Sequence, residues 1–293
     1  MAVGPYGALL EAVRGVRWPA RRPVSGGAPG AHLARTRGVA SEFADYRPYR
    51  QGDDPRRLDW KLLARSDRAF VRLAPDHAVL PTLIAVDGTA SMAFPDAAPS
   101  AISGKWGCAR EVAVACAAVA HASADPVGLC IVGANGVTRL TPRTRPGVVA
   151  EIARTLDAVT PGGRLPLDVA FIGAPARVLL ITDCLGELDG LKRASRTHVA
   201  AGFEVHVAHI VSRAELEPSP VAMLAVDPED ATIRRPLTDA TRAAYRDAFD
   251  AWRMEIARGW RDDGVSYQQI VDDEATDVAI RRVVALPGGG ARV

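Results

Sequence analysis

The chain has 293 residues, 48% of them hydrophobic and 24% charged, with a formal net charge of +2. That length suits one large domain or two modest ones with a buried core, and the near-neutral balance excludes a general bias toward nucleic acid or membrane surfaces. Four cysteines without a Cys-x-x-Cys pair, all in apolar patterns, exclude a disulfide framework and point to a reducing compartment.

Residues 1–75 hold fourteen Lys/Arg against seven Asp/Glu, so a basic N-terminal segment precedes an acidic remainder. Interleaving of those arginines with acids favours internal pairing over a polyanion-binding arm. Tyr6, Leu9, Leu10 and Val13 predict a short amphipathic helix over 5–17, and the Pro- and Gly-rich stretch 19–31 reads as a linker. Residues 38–73 are dense in charge and aromatics, ending in the alternating strand Ala69–Leu73. In Glu42–Arg65, Asp45, Asp53, Asp54 and Asp59 are expected to pair with Arg47, Arg56, Arg57 and Arg65 and clamp the block onto the following domain. The alternative is a partner surface built on its arginines and on Phe43, Tyr46 and Trp60.

From residue 79 the rhythm changes. Buried strands are predicted at Val79–Val86, Val127–Val132, Val178–Thr182, Phe203–Val211 and Val265–Ile270. Asn135-Gly136 predicts a hairpin into Val137–Leu140. Helices are predicted at Lys105–Ser123, Pro146–Val159, Asp168–Ile172, Glu187–Ala200, Asp239–Asp263 and Ala275–Val284, with a small hairpin at Ala222–Val226 and Thr232–Arg235. This alternation implies an α/β fold, a mostly parallel sheet covered on both faces. The division expected is an N-terminal basic segment at 1–75, an α/β domain at 76–286 and a flexible tail at 287–293. No secretory signal or membrane-length apolar run is read, so a soluble cytoplasmic protein is expected.

Sites in such sheets lie beyond the carboxyl ends of the strands, where Asp87 and Asp183 both fall. Asp87-Gly88-Thr89-Ala90-Ser91 places a carboxylate and two hydroxyls on one tight loop, hard oxygen donors suited to Mg²⁺. A turn that merely satisfies its own backbone would use the same residues. Nucleophilic phosphatase chemistry of the Asp-x-Asp-Gly-Thr kind is excluded because Ala85 stands at the nucleophile's position. No phosphate-binding Gly-rich loop or nucleophile elbow is present. His206 and His209, three apart on one strand, point to opposite faces and cannot share a metal. His32, His77, His121 and His198 are assigned structural or solvent-facing roles.

Two blocks carry a family resemblance: Ser41–Trp60 followed by Ala64-Arg65, and the strand and loop ending Asp87-Gly88-Thr89-Ala90-Ser91-Met92. Together they resemble the bacterial domain-of-unknown-function family fifty-eight, whose members have a von Willebrand factor A-like domain. The likeness continues through Lys105-Trp106, Leu179–Asp183, Val226–Glu229 and the helix containing Trp252, over roughly 33–285. It implies a three-layer, Rossmann-like fold with a metal-ion-dependent adhesion site formed by Asp87, Thr89, Ser91 and Asp183, so a Mg²⁺ cofactor is implied. It also implies binding instead of catalysis and a MoxR-type AAA+ ATPase as partner in protein maturation or assembly. The family pattern has a threonine after Gly-Gly, whereas Gly162-Gly163 is followed here by Arg164, which has no lone pair for a metal. Either Arg164 places its cation in the metal's position and pairs with Asp87 or Asp183, or it swings to solvent and leaves a weak three-side-chain site. The remaining readings are a Mg²⁺-dependent phosphohydrolase using Asp87 and Asp183, and a scaffold with a dead metal site.

Overall fold

The computed structural model describes residues 4–21, 29–38, 45–49, 58, 60–66, 68–95, 104–219, 224–226, 232, 234–236 and 238–285. In chain order the elements are α1 (Gly7–Ala12), β1 (Pro29–Gly38), β2 (Asp45–Pro48), α2 (Trp60–Ser66), β3 (Phe70–Ala78), β4 (Thr82–Gly88), α3 (Gly104–Ala122), β5 (Val127–Gly133) and β6 (Gly136–Arg143). They continue with α4 (Val148–Asp157), β7 (Arg177–Thr182), α5 (Leu188–Ala200), β8 (Glu204–Val211), α6 (Arg213–Leu216), β9 (Leu224–Val226), β10 (Arg234–Pro236), α7 (Asp239–Asp262), β11 (Ser266–Val271) and α8 (Thr276–Val284).

The central sheet has six strands in the order β11-β8-β7-β4-β5-β6. All neighbours are parallel except β5–β6, which the Asn135-Gly136 turn joins as an antiparallel hairpin. This doubly wound α/β order, with its antiparallel edge strand, is the von Willebrand factor A-like architecture that the resemblance implied. A separate three-stranded antiparallel sheet, β1-β3-β2, precedes it, and β9 and β10 form the small hairpin read from sequence. The linker expected at 19–31 is corrected at its end: Pro29-Gly30-Ala31 open β1, with Pro29 opposite Ala78 of β3 and an irregularity before His32. Pairing with a neighbouring strand overrides the local turn bias of Pro and Gly. The buried strand expected at Val79–Val86 is shifted to Thr82–Gly88, because residues 79–81 link it to β3, which runs to Ala78. Most acids and arginines of the charged block, and the tail from 287, lie outside the described residues.

Alternation along the buried strands sends successive side chains to opposite faces. Ile84, Val86, Leu129, Ile131, Leu179, Ile181 and Ile210 pack on one face with α3, α4, α8 and the N-terminal residues Tyr6, Val13 and Trp18. Leu83, Ala85, Cys130, Val132, Leu180, Val205 and Val207 pack on the other with Leu191 of α5 and Ile256 and Trp260 of α7. Helix α3 is buried nearly all round, which its Ala- and Val-rich sequence from Val112 to Ala120 allows. On the opposite face, α7 buries only one stripe, ending in Ile256 and Trp260. Cys108, Cys116, Cys130 and Cys184 are free and buried, and burial raises their thiol pKa values, so all four behave as small apolar side chains. Among the described residues no helix is long and apolar enough to cross a membrane.

At the amino-terminal end of the sheet, Arg177 opens β7 fully buried. It bonds Glu204 at 3.0 Å, lies 3.8 Å from Asp125, donates to the carbonyls of Trp18 and Pro19, and stacks over the Trp18 ring. Residues 4–21 are thereby tied to the sheet domain, helped by Tyr6, whose hydroxyl donates to Asp157 at 2.6 Å.

Candidate functional site

Strands β4 and β7 are adjacent and parallel, with Val86 opposite Ile181, so Asp87 and Asp183 leave the sheet side by side. Both are buried. Asp87 Oδ1 accepts from Thr89 N (3.0 Å) and Thr89 Oγ1 (2.7 Å), and its Oδ2 accepts from Thr182 Oγ1 (2.7 Å). Thr89 Oγ1 is 3.3 Å from Ser91 Oγ. Asp183 Oδ1 accepts from Leu185 N at 3.1 Å, and Thr182 Oγ1 accepts from Cys184 N at 3.0 Å. Those turn contacts hold Cys184 at φ 57°, a left-handed backbone that a side chain normally avoids. The structure therefore brings together all four sequence-predicted residues: Asp87, Thr89, Ser91 and Asp183.

The loop carrying Gly162 and Gly163 closes over β4. Gly162 N donates to Gly88 O at 2.7 Å, and Ala90 N to Gly163 O at 3.2 Å. The loop needs glycine where it passes the end of β5: Gly163 has φ 76°, and a Cβ there would stand 2.8 Å from Ala134 Cα. Arg164 follows on this loop with its side chain exposed.

The buried cation of the site is Lys105, in the first turn of α3. Its Nζ lies 2.8 Å from Asp183 Oδ2 and 2.7 Å from Glu215 Oε1, and the three side chains are 0%, 1% and 13% exposed. The Phe94 ring lies 5.6 Å from the same ammonium. Burial disfavours a charged lysine, yet Asp183 and Glu215 hold its pKa above the ordinary value. Glu215 uses its other oxygen to cap α6, accepting from Ser212 N at 2.8 Å, while Ser212 Oγ donates to Asp272 at 2.7 Å. A continuous polar chain thus crosses the carboxyl ends of β7, β8 and β11.

Sequence reading missed Lys105 and Glu215 as partners of Asp183. A lysine in the first turn of a mainly apolar helix was the available signal for the first. Glu215 belongs to the capping box Ser212-x-x-Glu215, a local pattern that carries no sign of its second bond, to Lys105.

Burial and the Asp183 charge, opposed by hydrogen bonds from Thr89 and Thr182, raise the Asp87 pKa to about 6. A carboxyl that protonates more readily folded than unfolded favours folding at low pH, and that contribution is lost as pH rises from about 4 through about 6. Asp87→Asn removes it. Chemical denaturation of both proteins should show wild type losing stability relative to the variant across that window. A pH-independent difference would contradict the raised value.

A divalent ion here would use Asp87, Thr89, Ser91 and Asp183. Every oxygen of the two carboxylates already accepts from a protein donor, and an ammonium occupies bonding distance of Asp183. The residues do not fit such an ion as they stand. Among the described residues no cluster of three or more His, Cys, Asp or Glu has a metal-binding arrangement. His206 packs on Trp18 and His209 bonds Tyr267, on opposite faces as expected. His198 is bonded to Pro175 O and packed on Phe171 and Phe203, a structural role.

A family model described as "Protein of unknown function DUF58" matches residues 45–255. The chain is 26% identical over 298 aligned positions to the uncharacterized protein Rv1480 of Mycobacterium tuberculosis, covering 97% of this chain and 91% of that protein. The uncharacterized protein Mb1516 of Mycobacterium bovis matches to the same extent. Among solved structures, BatB from Bacteroides thetaiotaomicron is 15% identical, with a TM-score of 0.44 over 70% of this chain and 97% of that one. The SpRpn10 VWA domain is 13% identical, with a TM-score of 0.40 over 69% of this chain and 94% of that one.

Proposed function

The chain belongs to the DUF58 family, and from that premise we propose that it is a non-catalytic binding or adaptor protein presenting the carboxyl edge of its sheet to a protein partner. The partner class follows from the family resemblance: a MoxR-type AAA+ ATPase acting in protein maturation or assembly. One observation carries the reading. The buried charges of the edge are satisfied internally, while Arg164, Leu165 and Leu185 stand exposed around them. Arginine is enriched at protein-binding hot spots, and the exposed leucines beside Arg164 add apolar surface for a partner to cover. Beside them lies a cleft of ≈ 340 Å³ lined by Cys184–Asp189, Lys192 and Trp252.

A Mg²⁺-dependent phosphohydrolase using Asp87 and Asp183 has less support, because their oxygens are engaged by Thr89, Thr182, Leu185 and Lys105. The test is capture of a purified MoxR-type ATPase from the same genome on the immobilised full chain. Leu185→Asp and Arg164→Glu should each weaken binding by about tenfold, or roughly 1.4 kcal/mol, with melting unchanged. Undiminished capture by both variants would move the interface away from this edge.

A further inference from the structure

We propose that the Lys105 ammonium is the resident cation of this edge, standing in for a divalent ion, so that partner binding here needs no metal. The last clause rests on the binding reading above; the first stands on the geometry alone.

A metal ion between strand-end loops would do two things: offset neighbouring carboxylates and tie together loops from different strands. Lys105 does both. It reaches Asp183 beyond β7 and Glu215 beyond β8 from the start of α3, the helix that follows the β4 loop. Its Nζ has three hydrogens, two directed to carboxylates, with the Phe94 ring close by. The backbone of Lys105 is tied to the same place, donating to Phe94 O at 3.2 Å. Because the side chain is fully buried and enclosed, it cannot swing away to admit an ion without opening the site. A divalent cation bonded to Asp183 would lie beside this ammonium in a poorly screened interior, where like charges repel strongly. Arg164 follows the loop hydrogen-bonded to Gly88 and Ala90, and its exposed guanidinium carries a further positive charge at the edge.

Calorimetric titration of the full chain with MgCl₂ and with MnCl₂, alongside melting curves, tests this directly. Wild type should show no saturable heat up to about 10 mM and a melting temperature indifferent to either ion or to EDTA; a dissociation constant tighter than about 1 mM would overturn the proposal. Lys105→Gln removes the charge and keeps a polar end on a slightly shorter side chain. That variant should melt lower and regain part of the loss on adding MnCl₂, whereas a folded Lys105→Gln chain with no response to MnCl₂ would show that the ammonium is not what excludes the ion. Capture of the ATPase in EDTA separates the two readings. Undiminished capture supports metal independence, and capture abolished by EDTA overturns it while leaving the binding role intact. No capture under any condition overturns the binding role and leaves the titrations to decide the rest.

Discussion

Replacing Lys105 by methionine is expected to cost about 3–5 kcal/mol, the range for removing one partner of a buried ion pair. The loss arises because Asp183, 1% exposed, and Glu215, 13% exposed, are left as buried negative charges without their cation. Methionine preserves most of the volume, so packing contributes little to the change. The melting temperature should fall by roughly 10 °C at neutral pH. Adding Asp183→Asn and Glu215→Gln to the same chain should restore most of that stability, since an uncharged set avoids the desolvation penalty. Denaturant titrations of the single and triple variants measure both effects. A single variant as stable as wild type would mean that the ammonium contributes nothing net. A triple variant no better than the single one would place the cost in packing.

The second large effect is expected at the opposite end of the sheet. Arg177→Met should cost about 3–5 kcal/mol and release the N-terminal residues from the domain. Arg177 donates to Glu204 and to the Trp18 and Pro19 carbonyls, and Glu204 also accepts from Arg21 N. Without the guanidinium, Glu204 keeps its burial and loses its counter-charge, and Trp18 loses the cation stacked on its ring. Trypsin should then cut after Arg17 and Arg21 in the native variant while wild type resists; equal resistance would show that apolar packing of Tyr6, Val13 and Trp18 suffices to hold the segment.

The pH dependence gives an independent check on the same network. Although burial alone would raise it, His206 and Arg177 hold the Glu204 pKa down at about 2. A depressed carboxyl stabilises the fold above its unfolded pKa and loses that contribution as pH falls through the folded one. The stability gap between wild type and Arg177→Met should therefore narrow as pH drops from about 4.5 toward about 2.

Much of the architecture was written in local pattern. The apolar runs ending at Asp87 and Asp183 are buried strands, because a parallel sheet covered on both faces accepts apolar residues at every position. Asn135-Gly136 makes the hairpin because it supplies the positive φ that the turn requires, 86° at Gly136. The stripe Phe249, Trp252, Ile256 and Trp260 lies along one side of α7 at helical spacing. Those features depend on neighbours in the chain, and so the strand-end position of the Asp87–Ser91 loop was legible as well.

The electrostatic state of that loop was not. Arg164 was the visible candidate for a cation at the site, since it interrupts a recognisable Gly-Gly pattern. The cation bonded to Asp183 is Lys105, which lies 78 residues earlier in the chain, and its second partner Glu215 lies 110 residues later. Only the crossovers of the parallel sheet bring the three together, by placing the start of α3 between the ends of β7 and β8. Sequence alone determined which residues end the strands and what chemistry they carry. The tertiary structure decided which charges share an enclosure, because an ion pair's strength depends on separation and burial in space, and neither quantity is encoded in local spacing.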